Sequence, residues 1–351
     1  MSGFISGGSH RLTARRFVIG LLACAALAAI VAVASLMIGV GSDRAGRHLE
    51  LLGSDALTAG TFEAKILAVR IPRVLAALLV GGALAGAGCA LQALLRNPLA
   101  EPFTLGISSG SSLAAVLAIR FGIEGAFGGA GVSAAALLGA MATLLIVWQL
   151  ARVGSALPPA TLILAGVTLS MFCSAASVLI QYTSDFTEVS RMLRWMLGGL
   201  DSMQLSTVQY AAAPILGGLF LLALHGRALN ALAAGPDVAA SLGVHVGRTP
   251  AVVVFLASLL VGAAIAVAGP IGFVGLIVPH ALRAILGPDH RLLIPASVFG
   301  GALLLTICDT LARTITAPAP LPTGAVTALL GGPFFVLIIL KQRRSAEMWG
   351  R

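Results

Sequence analysis

Charge is what this sequence has least of. Of 351 residues only 10% are charged, 13 acidic and 22 basic, and just two of the bases are lysines, Lys65 and Lys341. The charges are clumped, so that Phe17–Ser42, Val74–Leu95, Gly125–Ala151, Ser202–Gly226 and Thr249–Leu282 carry none. A water-soluble domain needs solvating side chains every few residues, and that class is excluded. Neither lysine follows a G-x-x-x-x-G stretch, which excludes a phosphate-binding loop for ATP. Cys24, Cys89, Cys173 and Cys308 lie far apart inside apolar stretches, so neither a disulfide framework nor a metal spacing emerges. Ion-driven carriers hold acidic residues near mid-membrane, and here Asp309 is the exception in spans nearly free of them. A membrane-embedded enzyme would need His, Glu or Asp clustered on facing helices, and the sequence offers no such cluster.

What is present is apolar length. The chain is 58% hydrophobic, with a mean hydropathy of +1.01. A helix of roughly 20 apolar residues crosses about 30 Å of hydrocarbon. Cutting at charges, prolines and glycine turns gives an all-α polytopic membrane protein of ten helices. They fall near 17–40, 72–95, 102–119, 130–150, 160–183, 203–225, 249–268, 271–285, 292–316 and 322–340. The 42 glycines suit helices that pack closely through small side chains. Arg11, Arg15 and Arg16 precede the first span, and Lys341, Arg343, Arg344 and Arg351 follow the last. Positive flanks stay in the cytoplasm, which places both termini there. The domains are then a tail over 1–16, a permeating domain over 17–340 and a second cytoplasmic tail over 341–351. In this topology the inner loops and tails hold 13 bases against four acids, and the outer loops nine of each. Ala32-Val33-Ala34 offers a small-residue signal cleavage site, but the uncharged run is long for that purpose and reads as a retained span.

Residues 78–88 (LLVGGALAGAG) echo residues 259–269 (LLVGAAIAVAG), eight of the eleven positions being identical. The two copies would run in opposite directions, as inverted repeats do in many transporters. Arg70-Ile71-Pro72-Arg73 sets two guanidiniums one turn apart at the outer side, suited either to carboxylates of a soluble partner or to headgroup anchoring. Asp309 and Arg313 share a helix face one turn apart, which predicts a mutual ion pair or a functional role for the arginine. The run 96–102 (RNPLAEP) is a tight, non-helical turn on the cytoplasmic side. Residues 235–243 (GPDVAASLG) spell a short helix beneath the membrane, either a plain connector or one docking in a partner's groove. Residues 269–280 (GPIGFVGLIVPH) break an apolar double span, and such breaks line a cavity or are sealed inside protein.

These stretches together resemble the FecCD family, permease subunits of ATP-binding-cassette importers for iron–siderophores, haem and cobalamin. The matching pieces are R-I-P-R (70–73), L-Q-A-L-L-R-N-P-L-A-E-P (91–102), L-G-I-S-S-G (105–110), L-I-L-A-G-V (162–167) and R-W-M-L-G-G (194–199). G-P-I-G-F-V-G-L-I-V-P-H (269–280) and L-P-T-G-A-V-T-A-L-L-G-G-P-F-F (321–335) complete the ordered set. The resemblance implies a type II ABC importer permease in the bacterial cytoplasmic (inner) membrane, working as a homodimer or with a paralogous permease. Its partners would be cytoplasmic ATPase subunits, which bind ATP and Mg, and an extracytoplasmic substrate-binding protein. The chain itself would be no enzyme, would bind no cofactor or metal, and would meet no nucleic acid. Arg70, Arg73 and Arg313 would receive acidic residues of the binding protein. Asn97 and Leu99 would narrow the inner gate, and the fifth span would line the path. Pro236, Asp237, Ala239, Ala240, Leu242 and Gly243 would couple to the ATPases, with His280 and Arg283 near that contact. Pro158-Pro159-Ala160 departs from the small polar residues common in relatives before the fifth span. An iron–siderophore is the expected substrate, with cobalamin or haem as alternatives; an ion-coupled secondary carrier is the remote competitor.

Overall fold

The computed structural model describes residues 14–43, 46–51, 62–152, 158–201, 203–317 and 319–349; the tail residues Arg11 and Arg351 lie outside them. In hydrocarbon an unpaired backbone group costs several kcal/mol, so uncharged runs satisfy their own N–H and C=O groups as α-helix. The chain follows that rule. Helix α1 (Ala14–Met37) leads to a hairpin of β1 (Ile38–Asp43) and β2 (Gly46–Leu51), then α2 (Phe62–Leu94), α3 (Ile107–Arg120), α4 (Ala126–Gly129) and α5 (Gly131–Ala151). Next come α6 (Pro159–Tyr182), α7 (Phe186–Met196), α8 (Leu205–Leu224), α9 (Gly226–Ala234) and α10 (Pro236–Ser241). The last four are α11 (Arg248–Ala268), α12 (Val274–Leu286), α13 (His290–Ile315) and α14 (Thr323–Trp349).

Each of the ten predicted spans holds an apolar helix. Seven are long and apolar enough to cross a membrane, and α3, α12 and the apolar part of α14 are shorter. The sequence reading differs from the structure at several points. Among them are the start of α2 at Phe62, where the span was expected from residue 72, and the end of α14 at Trp349, where it was expected at 340. The antiparallel hairpin β1–β2, pairing Ile38 with Leu51 through Asp43 with Gly46, interrupts an otherwise helical chain. The third span starts late: Pro102–Leu105 forms a 3-10 turn, and the α-helix begins at Ile107. The eighth starts at Val274, leaving Gly269–Phe273 irregular. Two amphipathic helices, α7 and α9, were expected as loop. A capping box of Asp185 and Glu188 starts α7, each side chain accepting the other's backbone N–H.

Helices α2, α11 and α13 form the centre. In the apolar window of α2, 83% of residues are buried, against 6% for α1 and 17% for α6, which leaves α6 the least covered of the long spans after α1. Small residues allow this packing: a Cβ on Gly81 of α2 would collide with the Gly301 carbonyl of α13, and one on Gly88 with that of Gly275. The sequence echo has a packing counterpart. α2 lies on α13 as α11 lies on α5, α3 on α5 as α12 on α13, and α2 on α12 as α11 on α3. Carrying Gly81 onto Gly262 carries the Gly301 contact onto Ala140 of α5.

Candidate functional site

Two polar assemblies stand at opposite ends of α2. The first gathers the predicted docking arginines. Arg70 donates from Nη1 to the Leu36 carbonyl at 2.8 Å and to that of Met37 at 3.4 Å, a cation placed on the unsatisfied C-terminal carbonyls of α1. Arg73 spans two carboxylates: its Nε donates to both Asp309 oxygens at 3.0 and 2.9 Å, and its Nη2 lies 3.0 Å from Asp201. Asp309 is 1% exposed and also accepts from the Thr323 hydroxyl at 3.0 Å. Arg73 therefore takes the place of Arg313 in the expected pair with Asp309. Arg313 instead turns to α1, where its Nη2 donates to the carbonyl and hydroxyl of Ser35. Spacing along one helix identified a neighbour but not the better partner, because the competing guanidinium sits 236 residues away. In the loop before α8, burial pushes the Asp201 carboxyl above its usual range, with Arg73 pulling the other way.

Arg70, Arg73 and Arg313 line a cavity of about 470 Å³ together with Lys65, Ile66, Val69 and Gly39. Lys65 was not among the sequence candidates. The second span was read from residue 72, whereas α2 begins at Phe62 and so places Lys65 about two turns before Arg73.

The second assembly lies roughly 35 Å along α2, at 1.5 Å per residue from Arg73 to Arg96. Arg96 closes the helix in a left-handed turn with φ 49. Asn97 then accepts the Leu99 N–H on its side chain at 2.9 Å, and its carbonyl accepts the Ala100 N–H at 3.0 Å. This Asx turn fixes the loop and leaves Leu99 38% exposed. Pro102 and the 3-10 turn follow, and Gly106 opens α3 at φ 77. The broken segment before α12 comes to the same place. Phe273, the N-cap of α12, has φ 68, and its N–H donates to Glu101 Oε1 at 2.6 Å. Burial pushes the Glu101 carboxyl up, partly offset by that N–H.

Further along α12, Arg283 and His280 turn inward. Arg283 donates from Nη2 to Gln92 Oε1 of α2 at 2.9 Å, while the Gln92 amide donates to the Gly275 carbonyl at 3.3 Å. His280 packs edge-on against Phe334 of α14, with ring centroids 6.4 Å apart. The predicted helix over 236–243 is α10 plus a turn. Gly235 at φ 126 and Gly243 at φ 78 bracket it, Ala239 alone is buried, and Pro236, Asp237, Ala240 and Leu242 face outward. Val238 at 43% and Leu242 at 68% exposure give this six-residue helix an uncovered apolar edge.

Comparison with known proteins places this geometry. Residues 19–341 match the FecCD transport family. The chain is 42% identical over 277 residues to the hemin transport system permease protein of Yersinia pestis, covering 78% of this chain and 83% of that one. It is 38% identical over 278 residues to the vitamin B12 import system permease protein of Salmonella typhi, covering 79% and 83%. A metal-chelate type ABC transporter solved in an inward-facing conformation superposes with a TM-score of 0.79 at 32% identity, over 93% of this chain and 99% of that one. The chain belongs to the FecCD transport family and is an ABC importer permease.

Proposed function

We propose that this permease carries an iron–siderophore complex across the bacterial cytoplasmic membrane, driven by ATP hydrolysed on separate subunits. The observation that carries the reading is α10. A six-residue helix held out between two left-handed glycines, with Val238 and Leu242 uncovered, is built to be gripped by another protein. It stands in a sequence that offers no phosphate-binding loop of its own. ATPase motion would enter through Pro236–Gly243 and through the nearby His280 and Arg283. Alternating access would follow, with the loaded binding protein and ATP each favouring a different state.

The charge bias supports both termini on the cytoplasmic side, with the Arg73 assembly outside. There Arg70 and Arg313, lining the open cavity with Lys65, would receive carboxylates of a binding protein. Arg73, already holding two carboxylates of its own chain, would serve as the floor of that site. The open faces of α6, with Leu164, Met171 and Phe172 each more than 60% exposed, suit a second permease across the path, either a copy or a paralogue. Asn97 and Leu99 would form the inner gate.

Haem and cobalamin stand beside the siderophore, because the relatives named above carry those substrates. The deciding experiment reconstitutes the permease with its ATPase and binding protein. ATP-dependent uptake of a ferric siderophore, haem and cobalamin is then compared side by side. Uptake of only haem or only cobalamin overturns the siderophore choice. Uptake that persists without ATP while an ion gradient is held overturns the importer reading itself.

A further inference from the structure

The Glu101 carboxylate ties the gate loop to the start of α12, beside the packing of Pro102 on Gly275. It reaches a donor 172 residues away, the Phe273 N–H that α12 cannot satisfy for itself, at 2.6 Å. The backbone behind it is braced: the Glu101 carbonyl accepts both the N–H and the hydroxyl of Thr104, at 3.0 and 2.7 Å. Further along, Gln92 and Arg283 tie α12 to α2. A carboxylate at a helix N-terminus is favoured by the positive end of the helix dipole. Among the described residues, however, no cation lies within ion-pair distance of this one. Even partial burial of a carboxylate without a counter-charge is costly. A purely structural tie could have been made by a neutral carbonyl at far lower cost. A charged acceptor gives a contact that is strong when seated and readily surrendered to water when the loop moves.

We propose that Glu101 is the positioning residue that transmits movement of α12 to the gate loop carrying Asn97 and Leu99. This rests on the gate and ATPase-contact assignments made above. With the carboxylate seated, the loop follows the N-terminus of α12, so a push at the His280–Arg283 end reaches Leu99. Without it, the loop follows α12 only through packing and the ties to α2, and the coupling weakens.

The test uses the permease assembled with its ATPase in inside-out membrane vesicles. Leu99→Cys provides a reporter for a membrane-impermeant maleimide, and its labelling rate is measured without nucleotide and with ATP plus vanadate. With Glu101 present, the two rates differ. In Glu101→Ala the ratio of rates falls about tenfold toward unity, as expected for losing one hydrogen bond to a charged group. The ATPase still co-purifies and still hydrolyses ATP. Glu101→Gln keeps an acceptor oxygen and restores part of the ratio, and it serves as the test if the alanine variant does not assemble. An unchanged ratio in the alanine variant, or in the glutamine variant where only that one assembles, overturns the coupling role alone. A reporter that ignores nucleotide even with Glu101 present overturns the gate assignment, and the coupling role falls with it.

Discussion

The chain begins two short helices in the same way and with different residues. α3 starts from Gly106 at φ 77, and α12 starts from Phe273 at φ 68. In the packing duplication these are corresponding helices, since α3 lies on α5 as α12 lies on α13. Glycine adopts a left-handed turn at no steric cost. A phenylalanine there costs of order 1–3 kcal/mol unless its surroundings hold it. Those surroundings are visible: the ring sits directly over Gly331 of α14, 6.4 Å from the Phe335 ring, and the N–H is taken by Glu101. The first break is thus a bare turn set against the Gly166 carbonyl of α6. The second is a strained turn that ties α12 to α14 and to the loop after α2. A shared backbone device has been left passive in one half and loaded with side-chain contacts in the other.

The two halves differ again where α2 meets α13 and α11 meets α5. Arg73 of α2 pairs with the buried Asp309, whereas the corresponding position of α11 is Val254, 1% exposed and apolar. Arg73→Ala strands a buried carboxylate, with an expected loss of about 3–5 kcal/mol. Val254→Ala removes two methyl groups and costs about 2 kcal/mol. Denaturation in detergent compares them, and equal losses would mean that the ion pair adds nothing over apolar contact. At the helix starts, Phe273→Ala loses the ring and keeps a Cβ at positive φ, for a loss of about 3 kcal/mol. Phe273→Gly loses the same ring but sheds the strain, and melts as the more stable of the two by about 1 kcal/mol. A glycine variant no better than alanine would show that the turn is not strained. Gly106→Ala sharpens the other side. Its Cβ would come 2.7 Å from the Gly166 carbonyl at φ 77, with an expected cost of about 2 kcal/mol, read by the same melt.

Much of this was legible from residue order alone. Uncharged length gave the helices, because lipid permits little else. The break at 96–102 and the one opening at Gly269 were legible from Pro98, Pro102, Gly269 and Pro270, which cannot continue a helix cheaply, although the extent of the second was not. Their meeting was not. Nothing in the sequence says that Glu101 faces Phe273, since a carboxylate in a loop reads as solvated until the fold buries it. Partners of arginines were also hidden. Helical spacing offered Arg313 to Asp309, but Arg73 on another helix won through two-oxygen geometry. The α10 helix was legible because its signals are local: proline at the first turn, Asp237 beside it and Gly243 at the close. The β1–β2 hairpin had no comparable signal: its first residues, 38–40, were read as the end of the first span and the rest as connecting loop.

A third helix start completes the contrast between backbone and side-chain solutions. α13 begins without a left-handed turn, and Asp289 caps it instead, accepting the Arg291 N–H at 3.0 Å. The same carboxylate accepts the Arg291 guanidinium at 2.6 Å and the Asn230 amide at 2.8 Å, which ties α9 to α13. Hydrogen bonding from Arg291, with Asn230 adding to it, holds the Asp289 carboxyl down at about 2. A carboxyl depressed on folding stabilises the protein above its unfolded value, about 3.9, and loses that contribution as pH falls through about 2. Asp289→Asn keeps a capping oxygen and loses the charge, so the expected cost is below about 1 kcal/mol for this partly solvated group. Unfolding of the two proteins in detergent should differ by a constant amount above about pH 5, and the gap should close as pH falls from about 4 towards 2. Equal stability of the two proteins at every pH would place the stabilisation in the contacts that asparagine also makes, to Asn230 and the Arg291 backbone. The start of α13 would then be held by shape, as α3 is, and not by charge.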